Sequence, residues 1–597
     1  MPSSDFRFSP RPNKAHTIEW REWGDAAFEQ AKADGKPVLL SISAVWCHWC
    51  HVMDETSYSD DEVIDRINQH FVPIRVDNDR RPDINARYNQ GGWPTTAFLT
   101  AEGEILAGAT YLPAERMRGV LDQMRDYYST SAAEISQKVA EIRARREATA
   151  PRSGESTQPD ETLVTATVES IRSAYDATYG GLGNEPKFPH PEAFNLLLDQ
   201  YVRTGDLALL HMVTNTLDQM RSRGIWDKVE GGFFRYSTTK DWEIPHFEKM
   251  LEGEAGLLRN YLYAYRVTGE ASYLDTARSL MAYLNRTLFD QERSFFYGSQ
   301  DADEHYFAQP KEERAKLEAP FVDPTLYVNW NAQMVSSYLE AAWTMDDPIA
   351  LEQALRVLVF LWETCRDNEG GMLHYYDGEA KVSGLLTDQV AVALALLDAH
   401  DATGDRSHLE RALTLAQVIL EGYADADASG FFDLKSEHDT LGNLQFRTKN
   451  IDENAAAADV FKRLERLLGE PAFGELSASA MAAFADGPQH YGYFASGFAR
   501  TYLRTSLEPV EAHIVGDPSL PATRALLWGT LRLKQLAKVV MVLDPSDEDE
   551  LEEFGYPPTP APAVYICYAG TCSAPVQTLE HLAAAAESTA APFRALS

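Results

Sequence analysis

The segment Trp46-Cys47-His48-Trp49-Cys50-His51 sets two thiols three residues apart. If a helix begins beside the first thiol, both sulfurs lie at its N-terminal end, one turn apart. A thiol there meets partial positive charge and free backbone N–H groups, which stabilise thiolate and lower its pKa. Cys47 is then the attacking sulfur and Cys50 the one that resolves a mixed disulfide. His48 and Trp49, a protonatable group and an apolar ring between the cysteines, tune the thiolate. The same residues permit other chemistries. Cys-x-x-Cys-His is also the pattern of covalent c-type haem attachment. Two thiolates with His48 or His51 suit zinc or copper. An idle dithiol in an inherited fold is a further alternative.

These cysteines need elements to hold them. A hydrophobic strand over residues 36–43 leads into the motif, and a helix follows Cys50. A second strand spans 71–77 and a hairpin 97–106, with a helix over 25–34 ahead of them. In GGWPTTAF, Trp93 and Pro94 open the strand that passes beside the dithiol. In thioredoxin-like folds a proline there is cis and presents backbone to the bound thiol partner. The order predicts a thioredoxin-like α/β unit over residues 1–130, with Trp46, His48, Trp49, His51, Trp93 and Pro94 supporting the thiol site.

A helical linker is expected over 131–160, where APRSGESTQPD is rich in Pro, Ser and Gly. From 161 to 507 the pattern becomes helical and recurrent, with helix ends RTGD, VTGE and ATGD at Gly205, Gly269 and Gly404. A second phrase, glycine followed by an apolar or aromatic residue, recurs at Gly180, Gly231, Gly370 and Gly430, where glycine allows left-handed backbone. Helical hairpins of this length close either into an open solenoid or into an α/α toroid, and the large aromatic and acidic loops between them favour the toroid. Residues 508–597 return to α/β character as a small third unit.

Junctions between helices carry the toroid's reactive side chains. In WEIPHFEKM, Pro245 suits a helix start, which puts His246, Glu248 and Lys249 in a first turn near Trp242. Lys187, Asp301, Asp303, Trp330, Asn331 and Asp388 occupy similar junctions. Together these ten are the candidates for a cavity in which aromatics stack on sugar rings and carboxylates do acid/base work. Asp301 and Asp303 form a possible carboxylate pair, although Asp-x-Asp in a turn often bonds its own backbone. Near the C-terminus Cys567 and Cys572 make a possible second thiol pair, and Cys365 reads as core.

Composition narrows the partners. Ninety acidic against 54 basic residues leave a net charge of −36, which excludes a nucleic-acid or anionic-membrane surface. The negative charge is distributed along the chain, the pattern of a solvated surface such as a halophilic cytoplasm requires. No apolar run approaches the roughly 18 residues of a membrane span, and no secretory signal is readable, so a cytoplasmic protein is expected. Five cysteines are too few for a disulfide scaffold. The lack of an H-E-x-x-H, P-loop or nucleophile-elbow pattern removes the commonest metalloprotease, nucleotide and esterase readings, and no cofactor and no metal are assigned. The partners expected are a protein or small molecule carrying a thiol or disulfide, and a carbohydrate.

Taken in order, the segment from Lys36 through WCHWCHVM to FVPIRVDNDRRPDI, then GGWPTTAFLTAEG, PKFPHP, PHFEKM, SQDADE and the Cys567/Cys572 pair resemble the YyaL-like, spermatogenesis-associated protein 20 family of thioredoxin-domain proteins. That resemblance implies a thioredoxin-like domain followed by a six-hairpin toroid similar to those of sugar epimerases and glycoside-processing enzymes. It supplies no reaction. Two stretches depart from the family pattern: the segment from Tyr88 to Trp93 is shorter, and LEGEAG follows PHFEKM where a Tyr-Asp-Asn run is usual. On these readings the chain is a thiol–disulfide oxidoreductase or thiol-dependent module fused to the toroid. The alternatives are a carbohydrate-active epimerase or hydrolase with a regulatory redox domain, and a non-catalytic binding or chaperone-like scaffold.

Overall fold

The computed structural model describes residues 6–149, 157–436, 438–485, 487–557, 559 and 561–594. Part of the expected linker, residues 150–156, lies outside these. The N-terminal unit contains α1 (Asp25–Asp34), β1 (Val38–Ser43), α2 (His48–Glu55), α3 (Asp61–His70), β2 (Val72–Asp77), α4 (Pro82–Tyr88), β3 (Thr95–Leu99), β4 (Ile105–Ala109) and α5 (Ala114–Thr130). Its sheet runs β2-β1-β3-β4, with β1 parallel to β2 and antiparallel to β3. β1 is buried along its whole length, as a run of VLLSIS between two helical layers demands. The helix α6 (Ala132–Thr149) leads out of the unit.

The helical region holds α7 (Glu161–Ala174), α8 (Pro191–Thr204), α9 (Leu207–Ser222), α10 (Leu251–Thr268), α11 (Ala271–Tyr283), the single turns α12 (Glu304–Phe307) and α13 (Lys311–Arg314), α14 (Val328–Met345), α15 (Pro348–Thr364), α16 (Leu386–Thr403), α17 (Arg406–Tyr423), α18 (Ile451–Leu468), α19 (Pro471–Ala482) and α20 (Ser496–Ser506). Helix α8 packs on α10, α10 on α14, α14 on α16, α16 on α18, α18 on α20, and α20 returns to α8. Six inner helices thus close a ring, with α9, α11, α15, α17, α19 and α7 outside it. This is an (α/α)6 toroid.

The two glycine phrases belong to its opposite rims. Gly205, Gly269 and Gly404 cap the C-termini of α8, α10 and α16 with φ of 74° each, and Gly469 does so for α18. They form short inner-to-outer turns. The long loops that enter the inner helices carry the second phrase, with Gly180, Gly231, Gly370 and Gly430 at φ 67°, 83°, 90° and 91°. A Cβ on Gly180 would stand 2.7 Å from Thr216 Cα.

A repeated clamp secures each long loop. Asn331, Gln389 and Asn454, on the first turns of α14, α16 and α18, each bond both the N–H and the carbonyl of one residue in the preceding loop, Phe296, Met372 and Phe431 respectively. On α10 the same position is Glu254, which accepts from Phe233 N–H at 2.7 Å and leaves Oε2 without a partner. Burial raises this carboxyl to about 8.

The third unit contains β5 (Val510–Val515), α21 (Pro521–Leu531), β6 (Lys538–Leu543), α22 (Glu548–Phe554), β7 (Ala563–Tyr568), β8 (Thr571–Cys572) and α23 (Leu579–Arg594). Its sheet order is β6-β5-β7-β8, with β5 parallel to β6 and antiparallel to β7. That order and those directions match the N-terminal sheet strand for strand, so the chain carries the thioredoxin topology twice. The third unit sits on the short-turn rim, where Trp528 Nε1 donates to Ala402 O at 3.0 Å, Arg532 pairs with Asp346, and Arg406 pairs with Glu550 at 2.6 Å. The N-terminal unit sits on the long-loop rim through Arg80–Asp377 (3.1 Å), Arg87–Asp433 (2.6 Å) and His438–Asp83 (3.0 Å). Among the described residues no helix is long and apolar enough to cross a membrane.

Candidate functional site

Cys47 is the N-cap of α2, and its Sγ accepts from Cys50 N–H at 3.2 Å. The two cysteines are joined as a disulfide. The peptide bond between Trp93 and Pro94 is cis. The dithiol site therefore has the expected local form, but its setting differs from that of an isolated thioredoxin unit. Cys47 and Cys50 are each only 4% exposed and pack within the same apolar core as the toroid. Trp46 is also buried, its Nε1 donating to Asp79 Oδ2 at 2.6 Å, whereas Trp49 lies outside and packs on Tyr111.

The toroid supplies the roof. Arg235, from the long loop ahead of α10, lays its guanidinium over Trp46 at 4.2 Å and Trp93 at 5.5 Å, with Tyr236 and Phe188 around it. Below, His374 of the toroid bonds Asp79 O through Nε2 at 2.7 Å and Asp388 through Nδ1 at 3.0 Å. The His48 ring stands 6.2 Å from that of His246, and its Nδ1 is 3.8 Å from Glu304. His246 stacks on Tyr236 and lies 3.4 Å from Glu248. His51 bonds Val45 O at 2.9 Å and lies 3.5 Å from Asp301. Two groups expected in separate places, the dithiol and the trio His246, Glu248 and Asp301, thus meet at one interface.

Electrostatics follow from burial. Asp301 is raised to about 6 by burial, against which His51 pulls it down. The hydrogen bond that Glu248 accepts from His246 raises the histidine, and Glu248 Oε2 is buried without a partner. Asp77 is raised to about 6 by burial and by Asp323, and Asp79 is raised well above the ordinary carboxylate range by burial and by Asp77. Carboxyls held toward the neutral form thus flank the dithiol.

The axial cavity is a separate space of about 1170 Å³. None of the ten expected cavity residues lines it. Lys187 is wholly buried and donates to Asp176, Gly180 O and Lys240 O at 2.8 Å each, so it clips a loop together. Lys249 does the same with Asp227 and Gly231 O, and Lys449 with Asp425 and Ser429 O. Trp242 is core, with its Nε1 on Tyr179 O. Trp330 packs on Tyr327, Asn331 is a loop clamp, and Asp388 holds His374. Asp303 caps α12 by accepting from Tyr306 N–H at 2.9 Å, which separates it from Asp301. Pro245 starts no helix: it lies in a two-residue strand paired with Ser237, and α10 begins six residues later.

The cavity is lined instead by residues outside that set of ten. Glu252 and Asp452 face it from α10 and α18, with Arg235 at the dithiol end and Arg466, Arg504 and Lys538 at the other. The surrounding protein desolvates both carboxyls, raising Glu252 and, with Glu192 nearby, raising Asp452 to about 6. Arg235 was legible only as a cation inside the aromatic run GGFFRYS.

Residues 10–147 match the family model Thioredox_DsbH, described as a protein of unknown function, DUF255. Spermatogenesis-associated protein 20 of Rattus norvegicus is 26% identical over 661 residues, covering 88% of this chain and 83% of that protein. Disulfide bond reductase DsbH of Chlamydia pneumoniae is 27% identical over 115 residues, 17% of this chain and 69% of that protein. Among solved structures, cellobiose 2-epimerase from Bacillus thermoamylovorans aligns with 54% of this chain and 84% of its own, at 12% identity and a TM-score of 0.45. With a thioredoxin-like N-terminal unit that matches the DsbH-type model joined to a closed helical ring, this chain is similar to spermatogenesis-associated protein 20 along most of both chains.

Proposed function

We propose that the chain is a thiol–disulfide oxidoreductase whose Cys47–Cys50 couple works on a small disulfide or thiol, not on the surface of a folded protein. The observation that carries this reading is the cover on the dithiol: Trp46, Cys47 and Pro94, the face a thioredoxin-like unit offers to a partner, are buried, with the Arg235 guanidinium over Trp46 and Trp93 and Tyr236 and Phe188 around it. In the reduced protein, Cys47 thiolate at the start of α2 attacks a disulfide R–S–S–R and releases one thiolate. Cys50 then attacks Cys47 Sγ, releases the second, and re-forms the Cys47–Cys50 disulfide. Two electrons pass to the substrate, and the Cys50 proton passes to a released thiolate. An external dithiol returns the electrons.

The test is a comparison of substrates. Reduced protein is expected to turn over cystine or glutathione disulfide, and to leave the disulfides of a folded protein such as insulin intact. Cys50→Ser is expected to accumulate a covalent adduct on Cys47, and Cys47→Ser none. Equal rates on both kinds of substrate, or no adduct in Cys50→Ser, would overturn the reading.

The cavity favours a second reading, a sugar-processing toroid in which Glu252 and Asp452 act as acid and base. Its support is that both carboxyls face one cavity and that desolvation raises both, Asp452 to about 6. Loss of binding of a small panel of mono- and disaccharides in Glu252→Gln and Asp452→Asn, measured by calorimetry, is the expected result. No binding by the unsubstituted protein would remove it.

A further inference from the structure

The second unit with thioredoxin topology has no cysteine where α21 begins, at Leu520 and Pro521. Its thiols lie elsewhere. Cys567 and Cys572 face each other across the β7–β8 pair, joined as a disulfide, with only Ala569 and Gly570 turning the hairpin between Tyr568 and Thr571. β8 is the edge of the sheet and is exposed, Cys572 included, whereas Cys567 is 3% exposed.

The buried sulfur has polar company. Tyr556 OH stands 3.5 Å from Cys567 Sγ and 2.7 Å from His513 Nδ1. His513 comes from β5, two residues along from Glu511, the cross-strand neighbour of Cys567, so it lies on the same face of the sheet. That face packs with Tyr565, Phe554 and Tyr556, while the opposite face, Ala512, Ile514, Val564 and Ile566, joins the core shared with the toroid. The disulfide is therefore turned away from the ring and from the Cys47–Cys50 site.

From this geometry we infer that Cys567–Cys572 is a second thiol–disulfide couple, independent of the first, that exchanges with thiols in the surrounding solution. A thiolate R–S⁻ attacks the exposed Cys572 Sγ and the Cys567–Cys572 bond breaks. Cys567 leaves as thiolate, accepting a hydrogen bond from Tyr556 O–H, whose oxygen accepts in turn from His513 when Nδ1 carries the hydrogen. A second thiolate then attacks the substrate sulfur of the mixed disulfide, releasing R–S–S–R and the Cys567/Cys572 dithiol. Two thiols are oxidised and one disulfide is reduced. A small monothiol and a protein dithiol share this chemistry.

The test uses the full chain with Cys47→Ser and Cys50→Ser, held in glutathione buffers of graded poise, quenched by alkylation and read by peptide mass. The couple is expected to open and close reversibly while the protein stays folded, with glutathione appearing on Cys572 and not on Cys567. In a second arm, reduced bacterial thioredoxin in excess replaces glutathione. Faster opening there identifies a protein dithiol as the source, and faster opening by glutathione identifies a small thiol. Tyr556→Phe is expected to slow opening roughly fivefold, the worth of one hydrogen bond to the leaving sulfur. A couple that stays closed in both arms until urea is added is structural, and the proposal fails. An adduct on Cys567 ahead of Cys572, or an unchanged rate in Tyr556→Phe, overturns the mechanism. Because the two couples lie on different peptides, the same mapping in the unsubstituted protein decides the question if the double variant does not fold.

Discussion

Single residues separate chemistry from scaffolding. Glu254 fills a clamp that three sister helices build with an amide, and an ionised carboxylate has no hydrogen for the carbonyl that the amide would serve. With its folded pKa raised to about 8, the native state binds a proton that the unfolded chain has released, so stability falls as pH rises from about 4 toward 8. Glu254→Gln is expected to stabilise the protein at pH 7 by on the order of 3 kcal/mol and to be neutral below about pH 4. Chemical denaturation at the two pH values checks this. Lys249 makes the contrary case. Lys249→Met removes one of the two cations that pair with buried Asp227 and is expected to cost roughly 3 kcal/mol of stability, with thiol exchange at Cys47 unchanged. Loss of exchange without loss of stability would return Lys249 to the chemistry. The Cys47/Cys50 spacing and Pro94 were legible because a strand-to-helix thiol pair has few structural uses. Lys187 and Lys249 misled because a lysine among aromatics and carboxylates looks the same in sequence whether it serves a ligand or a loop.

At the scale of elements, the ring depends on its seam. Asp199 on α8 accepts from both Arg500 and Arg504 on α20, at 3.0 and 2.7 Å, and joins the first inner helix to the last. Burial opposes the charge of Asp199, but the two arginines hold its carboxyl far below the ordinary range. A depressed folded pKa contributes stability above about pH 4 that is lost as pH falls further. Asp199→Asn is expected to cost roughly 3 to 5 kcal/mol at pH 7 and to flatten the acid limb of the stability profile. Unfolding monitored by circular dichroism from pH 7 to pH 2 measures both, and an unaltered acid limb would refute the assignment. The helical period and the glycine turns made the hairpins readable. One turn was hidden because the helix before it ends on Asp346, at φ 54°, in the place other repeats give to glycine. Pro245 was misread because its fixed φ suits a short strand as well as a helix start.

For the whole molecule, the decisive fact is which surfaces face one another, and no local pattern encodes that. The ion pairs Arg87–Asp433 and His438–Asp83 seat the N-terminal unit on the long-loop rim, with Tyr88 OH accepting from Asn443 N–H beside them. Arg87→Ala is expected to loosen this seat. In the reduced protein, Cys47 should then react several-fold faster with a bulky maleimide, while its rate with iodoacetamide changes less. Equal acceleration of both reagents would show that the roof does not screen by size. The second thioredoxin topology also escaped the sequence, because its recognisable mark, a thiol pair at a helix start, is missing there.

The order of the chain gives the roof a history. The dithiol unit is complete by Thr130, but Arg235, His246 and His374 come from later residues, and the ring closes only when α20 meets α8. On a ribosome the N-terminal unit folds first. For the time taken to synthesise some 370 further residues, its sulfurs stand bare to the reductants and oxidants around the nascent chain. Before the ring closes the dithiol is open to large and small partners alike, and afterwards the roof leaves it to the small ones.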